Sequence, residues 1–413
     1  METISTFVFS VGLIIFAAHF FTALFEKTRI PDVLPLIFIG IIVGPLFGVL
    51  SPEDFGYVGP LLSAIALTLM LFEGGSHLTL ETLKNSFKDS VILSISTFFL
   101  TILISMLLFH HLMNYTLIPS LFIGTVLGSI SPAVVVPIVK MLNFSENTKS
   151  TLVVESAITD VLSIIFSLAL LKTLKTGHSN IMEFIGTNLI ATMAMSILLG
   201  FGGAIIWSTI LEKIRKFPNT IFTSLAFLFL LYGSSEILGY SGPISVLLFG
   251  IVLANSKKIP LDIIQKFGTD HLTEFTNIEK TLFSEVIFLV KTFFFIFLGM
   301  SIQFGNFKIL FIGTILTLLI YLGRLILCKF LAPKNTSINE IAMISFIIPK
   351  GLAAAVLAEV PMHMQLPIES ISIFIEIRAI IYIVILLSIL LTAFLVYGQE
   401  SGKTQNSYKK IFS

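Results

Sequence analysis

The run Glu155-Ser156-Ala157-Ile158-Thr159-Asp160 sets two carboxylates inside an otherwise apolar, membrane-length stretch, residues 151–171. A charge near the middle of a bilayer costs several kcal/mol, so such acids persist where they are paired or where protonation and ion binding are the task. Four basic residues also fall within apolar stretches: Lys291, Arg324, Lys350 and Arg378. A carboxylate, a hydroxyl and freed backbone carbonyls suit a hard monovalent cation, and a buried carboxylate can hold a proton instead. Mutual exclusion at one such site gives exchange, provided the empty, unprotonated site does not cross. Nothing calls for a cofactor or an enzyme. There is no His-Glu-x-x-His and no intramembrane histidine to partner Asp160.

These residues need a membrane frame. The chain has 413 residues, 55% hydrophobic and 12% charged, where soluble proteins carry about a quarter charged. Its mean hydropathy is +1.00. A net charge of +1 argues against nucleic acid as a partner. Cys328 is the sole cysteine, which rules out an intrachain disulfide. Windows of roughly 20 apolar residues predict an all-α polytopic membrane protein of about thirteen spans. They lie near 7–25, 33–50, 58–73, 89–109, 118–140, 151–171, 184–210, 220–238, 243–255, 282–303, 306–331, 338–359 and 372–398. The first is read as a retained span, since Glu2 opens the chain and no basic n-region precedes it. Residues 1–398 would form one membrane domain, followed by a short cytoplasmic tail, 399–413.

Lys and Arg concentrate in alternate loops, at Lys27, Arg29, Lys84, Lys88, Lys140, Lys149, Lys213, Arg215, Lys216, Lys257, Lys258, Lys266, Lys280, Lys329 and Lys334, and in the tail. The opposite loops hold only Lys172, Lys175 and Lys308. The positive-inside rule then puts the N-terminus outside and the C-terminus in the cytoplasm of a cell-membrane protein. An odd number of spans agrees.

Depth brings the charges together. At about 1.5 Å per residue, Asp160 and Lys291 both lie roughly 14 Å from the cytoplasmic edge. Glu155 and Arg324 are shallower and also comparable. Two opposite-charge pairings follow as geometrically allowed, Asp160 with Lys291 and Glu155 with Arg324. Two helix breakers reach matching depth: Gly128-Ser129-Ile130-Ser131-Pro132 in the fifth span and Ile348-Pro349-Lys350-Gly351 in the twelfth. Irregular backbone at that depth is tolerated only beside a cavity or buried in protein. Interrupted helices in corresponding positions of two halves mark inverted-repeat secondary transporters. Lys350 would either neutralise the broken ends or snorkel. Thr159 would either ligate a cation or bond back to its own helix. Ser129 and Ser131 face the same choice, ligand or local satisfaction of carbonyls.

Glu155-Ser156-x-x-Thr159-Asp160 resembles the Glu-Ser-x-x-Asn-Asp signature of the sodium/proton exchanger (NhaP-like) branch of monovalent cation:proton antiporters. Leu71-Phe72-Glu73-Gly74-Gly75, Ser131-Pro132, Lys291-Thr292-Phe293-Phe294-Phe295, Gly323-Arg324 and Pro349-Lys350-Gly351-Leu352-Ala353-Ala354 resemble further family motifs in the correct order. The resemblance implies a homodimer in which a core (about 89–171 and 306–398) moves like an elevator against a dimerisation scaffold (about 7–73 and 184–303). It implies Asp160 as the carboxylate that binds cation or proton. Thr159, Ser129 and Ser131 would stand beside the cation, and Glu155 with Arg324 would form a buried structural pair. Thr159 stands where the family has Asn, and Ser131 where many members have Asp. With one titrating acid, electroneutral exchange of sodium (or lithium) for protons is expected, and potassium/proton exchange is the alternative.

Overall fold

A computed structural model describes residues 12–21, 33–55, 58–77, 80–142, 144–176, 190–217, 222–256, 275–331, 336–364 and 368–401, with the isolated positions 9, 23 and 220. The loop residues Lys27, Arg29, Lys257, Lys258, Lys266 and Lys334 and the tail beyond 401, on which the expected orientation leans, lie outside them.

Everything described that is regular is helical, and a helix falls within each of the thirteen ranges read from hydropathy. They are α1 (Gly12–Phe21) and α2 (Val33–Leu46); α3 (Val58–His77), α4 (Leu80–Met106, extended by a π turn to Leu112), α5 (Leu117–Leu127) and α6 (Pro132–Met141); α7 (Glu146–Thr176), α8 (Ile190–Ile214), α9 (Thr223–Ile237) and α10 (Gly242–Ala254); then α11 (Asn277–Met300), α12 (Phe307–Leu331), α13 (Ile338–Phe346), α14 (Leu352–His363) and α15 (Ile368–Glu400). Among the described residues seven helical stretches are long and apolar enough to cross a bilayer, and the rest are shorter. Helices satisfy their own backbone polar groups, which lipid cannot do for them.

Local sequence sets several boundaries. Thr276 with Glu279 and Ser337 with Glu340 form capping boxes that start α11 and α13. Ser241 caps α10 ahead of Pro243, a residue tolerated in a first turn. The Glu340 carboxylate also accepts from the Ser145 backbone N–H at 2.7 Å, tying α13 to the chain entering α7.

The helices pack in two sets. In one, α4, α5, α6, α7, α12, α13, α14 and α15 lie against one another; in the other, α2, α3, α8, α9, α10 and α11 do so. Between the sets the main contacts are α14 on α3 and α15 on α2. The second set is held by backbone-to-backbone approaches. A Cβ at Gly299 of α11 would run into the Ile37 carbonyl of α2, and one at Gly40 into the Ile296 carbonyl. Because backbone cannot rotate aside, Gly299→Ala is expected to destabilise the protein by roughly 1–3 kcal/mol through overpacking. A lowered melting temperature in detergent would register this; an unchanged one would mean that the two helices are not in such close contact.

Candidate functional site

The fifth and twelfth spans are each interrupted. α5 ends at Leu127, the chain runs non-helically through 128–131, and helix resumes at Pro132, a first-turn position where a missing N–H does no harm. α13 ends at Phe346 and α14 begins at Leu352, leaving 347–351 outside helix. The interruptions touch, the Ser131 N–H donating to the Pro349 carbonyl at 2.8 Å. Gly351 permits this approach, since a Cβ there would collide with the Ser131 hydroxyl.

α7 lies beside the first interruption. The Thr159 hydroxyl accepts from the Ile130 N–H at 3.1 Å and donates within its own helix to the Glu155 carbonyl at 2.9 Å. Thr159 therefore bonds back to its helix and also tethers the break. Ser129 satisfies a local carbonyl, donating to Val126 at 3.0 Å. Ser131 lines a cavity instead.

That cavity, about 650 Å³, has Asp160 in its lining. Its walls come from both helix sets: Ser131, Pro132, Ala157 and Leu352 on one side, Glu73, Gly74, Ser284 and Lys291 on the other. It extends from Asp160 past Val153 and Met141, toward the end of the molecule where α3 and α6 finish and α7 and α11 begin. Asp160 is 7% exposed, and its Oδ1 has no hydrogen-bond partner among the described residues. Lys350, on the second interruption, carries a positive charge that acts on it. Lys291, the partner that depth allowed from sequence, shares the cavity wall. Lys350 does not snorkel: it is fully buried, its Nζ has no hydrogen-bond partner among the described residues, and Arg324 and Glu155 also act on it. Its backbone N–H donates to the Ser388 hydroxyl of α15 at 2.9 Å.

Glu155, five residues before Asp160, meets Arg324 of α12 in a two-pronged pair at 2.6 and 2.7 Å, all of it buried. Thr97 of α4 donates to the same carboxylate at 3.2 Å and also accepts from Arg324. Arg324 further reaches the Ile344 carbonyl at 3.3 Å. The pair thus joins four helices, α4, α7, α12 and α13. Glu376 and Arg378, two residues apart on α15, turn to different partners, because such positions do not share a helix face. Arg378 donates to Glu359 at 2.9 Å, while Glu376 accepts from Lys308 at 2.8 Å and Tyr115 at 2.6 Å. Thr97 and Ser388 were not legible as site residues, since a lone hydroxyl in an apolar helix reads as a back-bonder whether or not it also bridges.

A family model described as sodium/hydrogen exchanger, transmembrane, matches residues 14–397. The chain belongs to the sodium/hydrogen exchanger family. Among relatives of this exchanger, "Na(+)/H(+) antiporter 1" of Methanocaldococcus jannaschii is 25% identical over 341 residues, 77% of this chain and 73% of that one. The K(+)/H(+) antiporter NhaP2 of Shewanella oneidensis is 26% identical over 233 residues, 54% of this chain and 40% of its own. The solved structure of the sodium proton antiporter MjNhaP1 from M. jannaschii at pH 8 superposes with a TM-score of 0.72 at 23% identity, covering 96% of this chain and 99% of that one. That last likeness speaks for the fold.

Proposed function

We propose that this exchanger carries sodium, and lithium as a second substrate, across the cell membrane against protons, with Asp160 as the one group that holds either ion. The reading is carried by one observation: Asp160, whose Oδ1 has no hydrogen-bond partner among the described residues, lines a cavity between two helix sets, beside two touching helix breaks. Ser131 and the freed carbonyls of the breaks would supply the remaining oxygens; Thr159 and Ser129 would stand behind them. Lys350 would balance the carboxylate when no cation is bound, with Lys291 in the same cavity wall. One carboxylate per cycle makes the exchange electroneutral, one for one.

The α4–α7 and α12–α15 set would be the moving core and the α2–α3 and α8–α11 set the scaffold, paired with that of a second copy in a homodimer. Sparse packing between the sets supports the division. With the N-terminus outside, the cavity would open to the cytoplasm. The Shewanella relative, a K(+)/H(+) antiporter, favours potassium as the second reading.

Proton flux in everted vesicles, with sodium, lithium and potassium added in turn, tests this. Sodium and lithium are expected to collapse an imposed pH gradient and potassium to act weakly. A response to potassium alone would replace the substrate, and no response to any cation would refute antiport. A rate that changes with imposed membrane potential would contradict electroneutrality.

A further inference from the structure

The two halves of the site are built to one hydroxyl pattern that neither half's sequence displays. In the first, Thr159 accepts from the Ile130 N–H within the break, and Ser163, one turn later on α7, donates to the Val126 carbonyl, one turn before Ile130, at 3.3 Å. In the second, Ser388 accepts from the Lys350 N–H within the break at 2.9 Å. Thr392, one turn later on α15, donates to the Phe346 carbonyl, one turn before Lys350, at 3.1 Å. Thr159 and Ser388 each return their own proton to a carbonyl of the preceding turn, Glu155 and Ile385, both at 2.9 Å. All four hydroxyl residues are fully buried. In the second half Tyr321 of α12 braces the pair, its hydroxyl 2.7 Å from both the Ser388 carbonyl and the Thr392 hydroxyl.

A helix interrupted inside a membrane strands an N–H on one side and a carbonyl on the other, and each must be satisfied within the protein. A pair of hydroxyls one turn apart on the neighbouring helix reaches both at once, joined in the first half by the Ser129 hydroxyl on the Val126 carbonyl. It also fixes where the freed backbone sits, and in the second half it fixes the residue that carries the Lys350 side chain.

We propose that Ser388 and Thr392 are positioning residues for ion binding, a hydroxyl clamp that holds the 347–351 break in place beside Asp160 as Thr159 and Ser163 hold the 128–131 break. The clamp acts on the site through backbone. It rests on the reading that Asp160 binds the transported cation. It assigns Thr159 to the same clamp, one position away from the carboxylate it supports. Preorganised oxygens bind a cation more tightly than oxygens that must be gathered, so the clamp acts on affinity.

Sodium titrations at one fixed pH in everted vesicles, normalised to transporter abundance, test it. Ser388→Ala is expected to raise the apparent KM for sodium roughly tenfold, the effect of leaving one buried N–H unmatched, with maximal rate within about twofold of wild type. Thr392→Val and Thr159→Val should move KM the same way, and the sodium-to-lithium KM ratio should stay at its wild-type value throughout. Ser388→Thr should restore KM. A wild-type KM in Ser388→Ala overturns the inference. So does a lowered maximal rate at unchanged KM, the mark of a purely structural role. A change in the sodium-to-lithium ratio in Thr159→Val alone makes Thr159 a ligand and removes it from the clamp. Should Ser388→Ala fail to accumulate, Ser388→Cys, whose sulfur accepts weakly, is expected to give an intermediate KM, and a wild-type value there is equally fatal. Failure of the underlying reading is distinguishable, because Asp160→Asn would then keep the wild-type response to sodium.

Discussion

Arg324→Ala is expected to leave little stable transporter in the membrane. Arg324 is fully buried and makes two short bonds to Glu155, one to Thr97 and one to the Ile344 carbonyl. Removing it strands the Glu155 carboxylate among helices with no water to solvate it. Breaking one member out of a buried pair costs about 3–5 kcal/mol, against a total stability of about 5–15 kcal/mol. Thermal unfolding followed by size-exclusion in detergent would show early aggregation. The paired replacement Glu155→Leu with Arg324→Met is expected to recover much of the loss, because it removes both charges and keeps the volume. An Arg324→Ala protein as stable as wild type would mean that the pair does not bear on the fold.

Asp160→Asn should do the opposite, with exchange falling to background and the fold intact. The substitution keeps shape and removes the charge. Because Oδ1 has no hydrogen-bond partner among the described residues, no structural bond at that atom is lost. Asp160 and Glu155 are five residues apart on the same helix, yet mutating them should separate function from stability. Abundance and melting temperature measured beside sodium-dependent proton flux would show the split. A mutant that is both inactive and unstable would place Asp160 with the architecture instead.

Much of this was legible in the sequence because lipid constrains so strongly. Apolar windows located the helices, and Pro132, Pro349 and Gly351 located the interruptions. Depth counting brought Glu155 level with Arg324, and the two are bonded. The same counting set Lys291 level with Asp160, and the two share a cavity wall; what it missed is Lys350, whose charge also acts on Asp160. The reason is physical: a rise of about 1.5 Å per residue holds only in continuous helix, and Lys350 sits where the helix stops. The two interruptions were legible as corresponding positions, but no residue-level likeness accompanied them. The two halves share hydrogen-bonding roles rather than residue types, so Thr159 answers to Ser388 and Ile130 to Lys350.

The most direct test of a single carboxylate shared by cation and proton is proton release on sodium binding to the purified protein. It would be followed with a pH electrode in weakly buffered detergent at the acid end of the working range. The account predicts about one proton released per sodium bound in the wild type and none from Asp160→Asn. Sodium binding without proton release, or release that persists in Asp160→Asn, would contradict it.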